Sequence, residues 1–278
     1  ALGAASLALN AKNTANSFTD KAGDFDPSKA AAVSVSVSLG SSKSQSNTST
    51  SSDTARGSSI QAGGDVTIIA TGAGQNSNIR IQGSNVQAGG TTTLAADNQV
   101  NLLAAQNQRS EASSESSRSG SIGVSLGSNT GITLAANKGR GQGSGSETSY
   151  TNTHISGNQV RIVSGGDTTL QGAVVAGNSV QADIGGKLTI QSLQDTSTYT
   201  ESSKNAGASI TISPVGVPTG GSISAGKTNT HSNYQNVAEQ SGIRAGDAGF
   251  QVNVKGDTTP VGGAITSTQA AIDNNKNS

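Results

Sequence analysis

Two histidines are the first candidates for chemistry in this sequence. His154 and His231 each end the tetrapeptide Thr-Asn-Thr-His. A pair of imidazoles can bind a metal ion when a carboxylate or a thiolate completes the coordination. No acidic cluster accompanies either histidine, and cysteine is absent. We therefore interpret the two tetrapeptides as equivalent strand segments of a large repeat and predict no metal site.

Serine, histidine and aspartate together could form a hydrolytic triad, in which a carboxylate holds the base that activates the serine. No Gly-x-Ser-x-Gly segment marks such a nucleophile. Most aspartates lie beside glycine pairs, where turn formation explains them. The candidates are Asp65, Asp97, Asp167, Asp183 and Asp257. A solenoid lyase or hydrolase would repeat Asp, Lys or Arg at one lateral position of adjacent coils, and we find no such group, so we predict no catalytic residue.

Composition narrows the remaining classes. The glycine-rich stretch at 139–145 lacks the spacing of a phosphate-binding loop, so we predict no cofactor. The absence of cysteine excludes disulfides and thiolate metal sites, and 17 basic residues balance 17 acidic ones. Because no cluster of cations is interleaved with aromatic residues, we predict no nucleic-acid partner. No apolar run approaches the roughly 20 residues of a membrane-spanning helix, so we predict no transmembrane segment.

A repeat of 20 residues at 157–190 indicates the kind of structure in which the histidines and aspartates lie. Gly157, Asn158, Val160, Gly165, Gly166 and Leu170 recur as Gly177, Asn178, Val180, Gly185, Gly186 and Ile190. Shorter copies of the pattern begin at Gly57 and Gly83, and a weaker copy begins at Gly249. A unit that recurs in this way is typical of coils stacked along an axis.

The small hydrophobic content suits such a stack. Only 31% of the 278 residues are hydrophobic, and 37 are glycine. A parallel β-solenoid needs few large side chains, because each coil shares a narrow core with its neighbours. We expect Val160 and Ile162 to face inward, and Gln159 and Arg161 to face solvent. Glycine pairs would turn the chain at the coil corners, where a Cβ is penalised wherever φ is positive. The predicted corner residues are Gly63, Gly64, Gly89, Gly90, Gly165, Gly166, Gly185 and Gly186.

Between the coils, apolar residues alternate with small polar ones, which predicts strands with one apolar face. The segments are 33–39, 122–126, 132–134 and 208–212. A turn at 127–131 would join the second and third segments into a long hairpin. Downstream, we expect an outgoing strand at 195–212, a proline-containing tip, and a return strand at 222–243. Upstream, 2–9 and 33–39 would form the base of a third hairpin. Helix should be minor.

These coils and strands resemble a known family. The Gly-Asn-x-Val and Gly-Gly-Asp coils, the strands at 33–40 and 122–127, and the Ser-rich segments between them are similar to the hemagglutinin-repeat region of filamentous hemagglutinin-like two-partner secretion exoproteins. The long polar insertions most resemble the second repeat block of contact-dependent growth inhibition toxins. The resemblance implies a filamentous right-handed β-helix, an outer-membrane transporter partner during secretion, and adhesion or delivery of a C-terminal toxin to neighbouring bacteria.

We therefore predict an all-β protein: a right-handed parallel β-helix (solenoid) interrupted by long antiparallel β-hairpin extensions. The coils would cover about 57–105, 155–194 and 243–265, and the hairpins about 1–56, 106–154 and 195–242, of one continuous segment over 1–278. Without an initiator methionine or a signal peptide, we interpret the chain as an internal fragment of a larger protein.

The predicted function is that of a structural and interaction segment of a secreted exoprotein at the bacterial cell surface, associated with the outer membrane. A protein or glycan of the target-cell envelope would be the further partner. Two alternatives stay open: a carbohydrate-active parallel β-helix enzyme of the polysaccharide lyase or hydrolase type, and a passive spacer rod.

Overall fold

β-strands form most of the protein. The computed structural model describes residues 35–126 and 130–278. Within these residues the helical segments are α1 (Gln269–Asp273) and one short 3₁₀ turn (Gly74–Asn76), so the expectation of minor helix is confirmed. The strands in chain order are β1 (Val35–Asp53), β2 (Ser59–Ala62), β3 (Val66–Ala70), β4 (Ile79–Gln82), β5 (Asn85–Ala88), β6 (Thr91–Ala96), β7 (Val100–Leu103), β8 (Ala105–Leu126), β9 (Gly131–Thr151), β10 (Thr153–Ser164), β11 (Thr168–Gln171), β12 (Ala173–Ile184), β13 (Leu188–Gln191), β14 (Asp195–Ile212), β15 (Pro218–Asn236), β16 (Gly242–Val254), β17 (Thr258–Val261) and β18 (Ala264–Thr266).

The chain divides into two compact units. The first, the hairpin unit, contains the described part of Ala1–Ser49 together with Glu111–Ser144 and Tyr199–His231. The second, the coil unit, contains Thr50–Ser110, Gly145–Thr198 and Ser232–Ser278. The strands β8, β9, β14 and β15 each begin in one unit and end in the other, so the chain passes between the units several times.

Two parallel sheets form the coil unit. The first has the strand order β18-β16-β12-β10-β5-β2, with β6 pairing both β10 and β3, and the second has the order β17-β13-β11-β7-β4. Successive passes of the chain add neighbouring strands to these sheets, so that Val160 lies opposite Val180 and Leu170 lies opposite Ile190. The offset of 20 residues, which also separates the bonded pair Gln171 and Gln191, is the period of the sequence repeat. The predicted ladder between the two repeats is confirmed.

Alternate residues of these strands fill one core. Val160 and Ile162 are each 1% exposed, whereas Gln159 and Arg161 are exposed, so the predicted orientation of this strand is confirmed. Burial of each aliphatic side chain contributes about 1.5–3 kcal/mol. Because neighbouring passes share their inward side chains, the stability belongs to the stack and not to a single pass. The largest buried side chains are Leu94, Leu102, Ile155, Ile162, Leu170, Leu188, Ile190 and Ile243.

The hairpin unit is an antiparallel sheet with the strand order β1-β8-β9-β14-β15. Its direction follows from side-chain contacts, since Ser209 bonds Ser222 while Ser202 bonds Asn229. Residue numbers therefore fall along β15 as they rise along β14. The predicted alternating segments at 122–126, 132–134 and 208–212 lie in β8, β9 and β14 and are confirmed as strands.

The second predicted hairpin is correct in its first arm, and its second arm is confirmed over 222–236 but wrong at its end. The outgoing strand 195–212 is β14, but the return strand is Pro218–Asn236 and not 222–243. Pro218 opens β15, a position where its missing N–H removes no ladder bond from the interior of the strand. Ile243 belongs to β16, where it is 1% exposed and lies opposite Val175. The end of the predicted return strand is therefore core of the coil unit.

Parts of the other predicted hairpins lie outside the described residues. These parts are the strand at 2–9, the tip that would connect it to 33–39, positions 33–34 of that segment, and positions 127–129 of the turn at 127–131. The described part of the segment 33–39 lies in β1.

Candidate functional site

The eight predicted corner glycines lie at two different corners of the coil unit. Gly63, Gly64, Gly89 and Gly90 lie within the first sheet, between β2 and β3 or between β5 and β6. Gly165, Gly166, Gly185 and Gly186 lie where the chain passes from the first sheet to the second, after β10 or β12. Val86 pairs with Ile155, whereas Val160 pairs with Thr92. The segment with Gly89 and Gly90 therefore lies beside the middle of β10, and not beside its end, where Gly165 and Gly166 follow. Aligning the glycine pairs by sequence alone equates two different corners.

Close approach to the preceding pass of the chain explains glycine at six of the eight positions, whereas a Cβ on Gly63 or Gly64 would meet nothing within 4 Å. None of the eight has a positive φ, so the conformational reason expected from the sequence is wrong. The amide of Gly89 donates to the carbonyl of Ala62 at 2.8 Å. A Cβ on Gly89 would overlap the carbonyl oxygen of Gly63, and one on Gly185 would overlap that of Gly165, whereas a Cβ on Gly63 would meet open space. The steric demand comes from the preceding pass of the chain.

A third corner, which the sequence analysis did not identify, does use left-handed glycines. Gly83, Gly172 and Gly262 have φ values of 55°, 61° and 65° and return the chain from the second sheet to the first. Two passes have no glycine at this corner. In them the N–H of Ala104 donates to the Gln171 carbonyl, and the N–H of Ser192 donates to the Val261 carbonyl. The chain then enters the long strands β8 and β14. Glycine here starts the next coil, and its absence coincides with departure into a hairpin. A single glycine after glutamine, at 82–83 and 171–172, is the available sequence signal.

The aspartates beside the corners join one pass to the next. Asp65 Oδ1 accepts from the Thr91 amide at 2.7 Å, and Asp167 Oδ1 accepts from the Lys187 amide at 2.8 Å. Asp97 Oδ2 accepts from the Gly72 amide at 2.6 Å. A charge-assisted bond to a backbone N–H satisfies a donor that the tight corner leaves unpaired. These bonds run to a pass of the chain 20 to 26 residues away in sequence, so the local turn chemistry expected from the sequence is not the role that these side chains have.

The remaining two candidates have a comparable role. Asp183 Oδ1 accepts from Asn253 at 2.9 Å. The exposed Asp257 lies 4.0 Å from Lys187.

The two histidines lie in different units and have different partners. His154 contacts Asn85 at 3.1 Å through Nδ1 and Glu239 at 2.8 Å through Nε2. His231 contacts only the hydroxyl of Thr200 among the hydrogen bonds of the described side chains. Within 36–125 and 130–278, no three residues of the types His, Cys, Asp and Glu converge on one point. The contacts of His154 connect β5, β10 and the segment before β16.

The hairpin sheet exposes side chains that the coil unit would bury. Every residue of β15 is exposed, and β15 has one ladder partner, β14, among the described strands. An edge strand with unpaired backbone groups can accept a strand of a partner. Seven aliphatic side chains of β1, β8, β9 and β14 are between 40% and 75% exposed: Val37, Leu39, Ile122, Val124, Ile132, Leu134 and Ile210. This unit is therefore the candidate contact surface.

Comparison with known proteins agrees with the repeats and the insertions. Residues 39–206 match the family described as Hemagglutinin repeat, which is more than half of the 278 residues and includes strands of both units. The chain belongs to the hemagglutinin-repeat family. No solved structure matches this hemagglutinin-repeat chain.

Three similar proteins are much longer than this chain. The tRNA nuclease CdiA of Yersinia mollaretii is 38% identical over 228 residues, covering 79% of this chain and 8% of that protein. The deoxyribonuclease CdiA of Yersinia pseudotuberculosis is 41% identical over 225 residues, covering 79% of this chain and 21% of that protein. The tRNA nuclease CdiA of Escherichia coli is 39% identical over 236 residues, covering 81% and 7%. The chain thus spans about a fifth or less of the length of these relatives. No helix in the described ranges of the hemagglutinin-repeat chain has the length and apolar character to cross a bilayer.

Proposed function

We propose that this chain is a non-enzymatic structural and interaction segment of a secreted, surface-exposed filamentous exoprotein. The observation that carries the proposal is the difference between the units. The coil unit has a buried core in which Leu170 and Val180 are 0% exposed, whereas all side chains of β15 are exposed. A ladder-bonded stack supplies a rigid support, and an exposed sheet supplies area for contact.

The finer architecture that we propose is a right-handed parallel β-helix interrupted by antiparallel hairpins. Two parallel sheets, three successive corners and the 20-residue offset support it. The boundaries proposed from the sequence, with coils at about 57–105, 155–194 and 243–265, belong to this proposal. An experimental structure of the chain would test it, and left-handed connections between the sheets would contradict it.

The relatives support a role that does not depend on one enzymatic activity. One relative is named a tRNA nuclease and another a deoxyribonuclease, yet both match about the same share of this chain. A segment common to proteins with different named activities fits delivery or attachment better than catalysis. We therefore propose delivery of a C-terminal toxin, or adhesion, at the bacterial cell surface, after secretion through an outer-membrane transporter partner.

Removal of the hairpin in the full-length protein tests this role. The replaced segment should be 199–231, bridged by a short Gly-Ser link, because Ser241 and Ile243 further along are buried in the coil unit. We expect secretion and surface display to persist, while attachment to target cells or delivery falls towards the level of a protein without the chain. The matched control substitutes alanine for the exposed coil residues Gln181 and Gln251 and should deliver normally. Normal delivery by the hairpin deletion would contradict the proposal and favour a passive spacer.

A glycan panel tests the enzymatic alternative. We expect the purified 278-residue chain to release neither reducing ends nor unsaturated products from neutral or acidic polysaccharides. Either product, formed at a rate proportional to the chain concentration, would contradict the non-enzymatic assignment.

A further inference from the structure

The two faces of the hairpin sheet can be assigned from contacts between strands. Successive residues of a strand point to opposite faces. A Cβ on Gly40 would meet Ser121 and one on Gly123 would meet Ser38, a register that sets Lys43 of β1 opposite Arg118 of β8. A Cβ on Gly139 would meet Ser117, so Arg118 and Arg140 both lie on the face opposite to Ser117. Thr133 bonds Thr211 and Ser146 bonds Thr198, which sets Arg140 of β9 opposite Lys204 of β14 on that same face.

The remaining two cations of this unit follow by alternation. Lys227 lies two residues from Asn229, which bonds Ser202, and Ser202 lies two residues from Lys204. Lys138 lies between two residues of the other face, because Asn137 donates to Ser119 and a Cβ on Gly139 would contact Ser117. All lysines and arginines in the described part of the hairpin unit therefore share one face, here called the basic face: Lys43, Arg118, Lys138, Arg140, Lys204 and Lys227.

The acidic residues of the unit lie on the opposite face. Glu115 and Glu201 alternate with basic-face positions of β8 and β14, and Glu111 lies four residues before Glu115 on the same strand. The hydroxyl of Tyr199 donates to Glu201 at 3.1 Å. This hydrogen bond, together with the charges of Glu201, Glu111 and Glu115, raises the pKa of Tyr199 above its ordinary value. In the described residues of the hairpin unit, the basic face thus carries no carboxylate to offset its cations.

The cations of the basic face form a continuous track across the sheet. Strand register places Lys43, Arg118 and Lys138 side by side on β1, β8 and β9. It places Arg140, Lys204 and Lys227 side by side on β9, β14 and β15. Neighbouring strands are about 4.8 Å apart, and Lys138 and Arg140 are about 6.6 Å apart along β9. The track therefore crosses all five strands with one step at the middle strand.

Like charges on neighbouring strands repel each other. A ligand with negative groups at a similar spacing would convert that repulsion into attraction. The track is linear, which fits a linear polymer better than a lipid surface with headgroups in two dimensions. Single-stranded nucleic acid requires aromatic stacking platforms, and Tyr199 lies on the opposite face.

We infer that the basic face binds a linear acidic polysaccharide, with its carboxylate, sulfate or phosphate groups along the cation track. The inference rests on the proposed function, for which it names the partner. Small residues on adjacent rows, such as Ser116, Ala206 and Ala225, leave the surface flat enough for a sugar chain to lie across the strands.

Binding to defined polymers tests the inference. The full 278-residue chain would be titrated with polygalacturonate and dextran sulfate, with neutral dextran as the control polymer. We expect binding to both acidic polymers that weakens steeply as salt is raised, and no binding to neutral dextran. Binding to anionic vesicles or single-stranded DNA in place of the acidic polysaccharides would overturn the inference.

Two variants test the track itself. Arg140→Gln combined with Lys204→Gln should weaken binding about tenfold or more, which corresponds to about 1.4 kcal/mol, because two of the six cations of the track are lost. The matched control, Arg161→Gln with Lys255→Gln, removes the same charge from exposed residues of the coil unit and should leave the affinity unchanged. Equal losses in the two variants would show that net charge, and not the track, governs binding.

Moving one positive charge from the basic face to the acidic face is the more specific test. Lys204→Asn combined with Asn205→Lys keeps composition and net charge while moving one ammonium group to the acidic face. We expect weaker binding, and undiminished binding would overturn the assignment to the basic face. A chain that binds no acidic polysaccharide overturns this inference alone, because the proposed function is tested separately by deletion of 199–231.

Discussion

The coil unit and the hairpin unit use the same alternation of apolar and polar residues for opposite purposes. In the coil unit the apolar positions are covered, and Leu170 and Val180 are each 0% exposed. In the hairpin unit the same pattern leaves Leu134 42% and Ile122 49% exposed. Alternation therefore fixes which residues share a face, and a second sheet decides whether that face becomes core.

The units also differ in how neighbouring strands are joined. Coil strands come from successive passes, and each corner stacks backbone on backbone, as Gly89 does on Ala62. Hairpin strands are joined by the backbone ladder of an antiparallel sheet, to which paired hydroxyl and amide side chains on its faces add, as in Ser209 with Ser222. The first arrangement tolerates little added volume, whereas the second tolerates many polar substitutions. Selection for recognition can thus act on the hairpin unit without disturbing the coil.

A pair of leucine truncations tests the difference in burial between the two units most directly. Leu170→Ala should lower the free energy of unfolding by about 2–5 kcal/mol, because it removes a buried side chain and leaves a cavity. Leu134→Ala should lower it by less than about 1 kcal/mol, since Leu134 is already partly solvated. Urea unfolding followed by circular dichroism gives both values. Equal losses would mean that the exposed rows of the hairpin sheet are as important to stability as the core.

A set of glycine substitutions tests whether backbone stacking is the reason for glycine at the corners. Gly89→Ala should destabilise by about 1–3 kcal/mol, because its Cβ would overlap the Gly63 carbonyl and force the stacked backbone apart. Gly63→Ala and Gly220→Ala place the Cβ in open space and should change stability by about 0.5 kcal/mol or less. Thermal unfolding of the three variants checks this. A large loss from Gly63→Ala would show that turn conformation, and not stacking, requires glycine.

The smallest effect concerns side chains that join strands. Asp167→Ala should cost about 1 kcal/mol, because the Lys187 amide loses a charge-assisted partner. Ser209→Ala in the hairpin unit should cost less than about 0.5 kcal/mol, since water can replace the lost hydroxyl as the partner of the exposed Ser222. Denaturant midpoints measured under identical conditions compare the two. Similar losses of stability in the two variants would show that a corner aspartate and an exposed side-chain pair contribute equally.

Much of the local structure was predictable because it depends on short-range periodicity. The 20-residue repeat predicted the ladder between Val160 and Val180, and the recurring hairpin pattern, with alternation at 208–212, predicted the strand at 195–212. The end of the return strand was mispredicted because Ile243 continues an apolar pattern that fits either a hairpin or a coil. Its position opposite Val175, far away in sequence, decides between the two.

The corner glycines and the cation track needed long-range register. Gly-Gly pairs look alike in sequence, yet those at 89–90 and 165–166 occupy different corners, because β10 continues past the point where β5 ends. Within each strand, the spacing of the charged residues already showed which of them share a face. It could not be combined across β1, β8, β9, β14 and β15 without knowing which residues face each other.

The sequence by itself determined that the chain forms strands, which residues alternate, and that units of 20 residues stack. These properties follow from backbone geometry, since side chains alternate along any strand and identical repeats can pair in register. Only the tertiary structure decided which alternating face is covered, which glycines meet a carbonyl, and which cations lie side by side. Those outcomes depend on contacts between residues far apart in the chain, where packing volume and strand register, and not local preference, set the free energy.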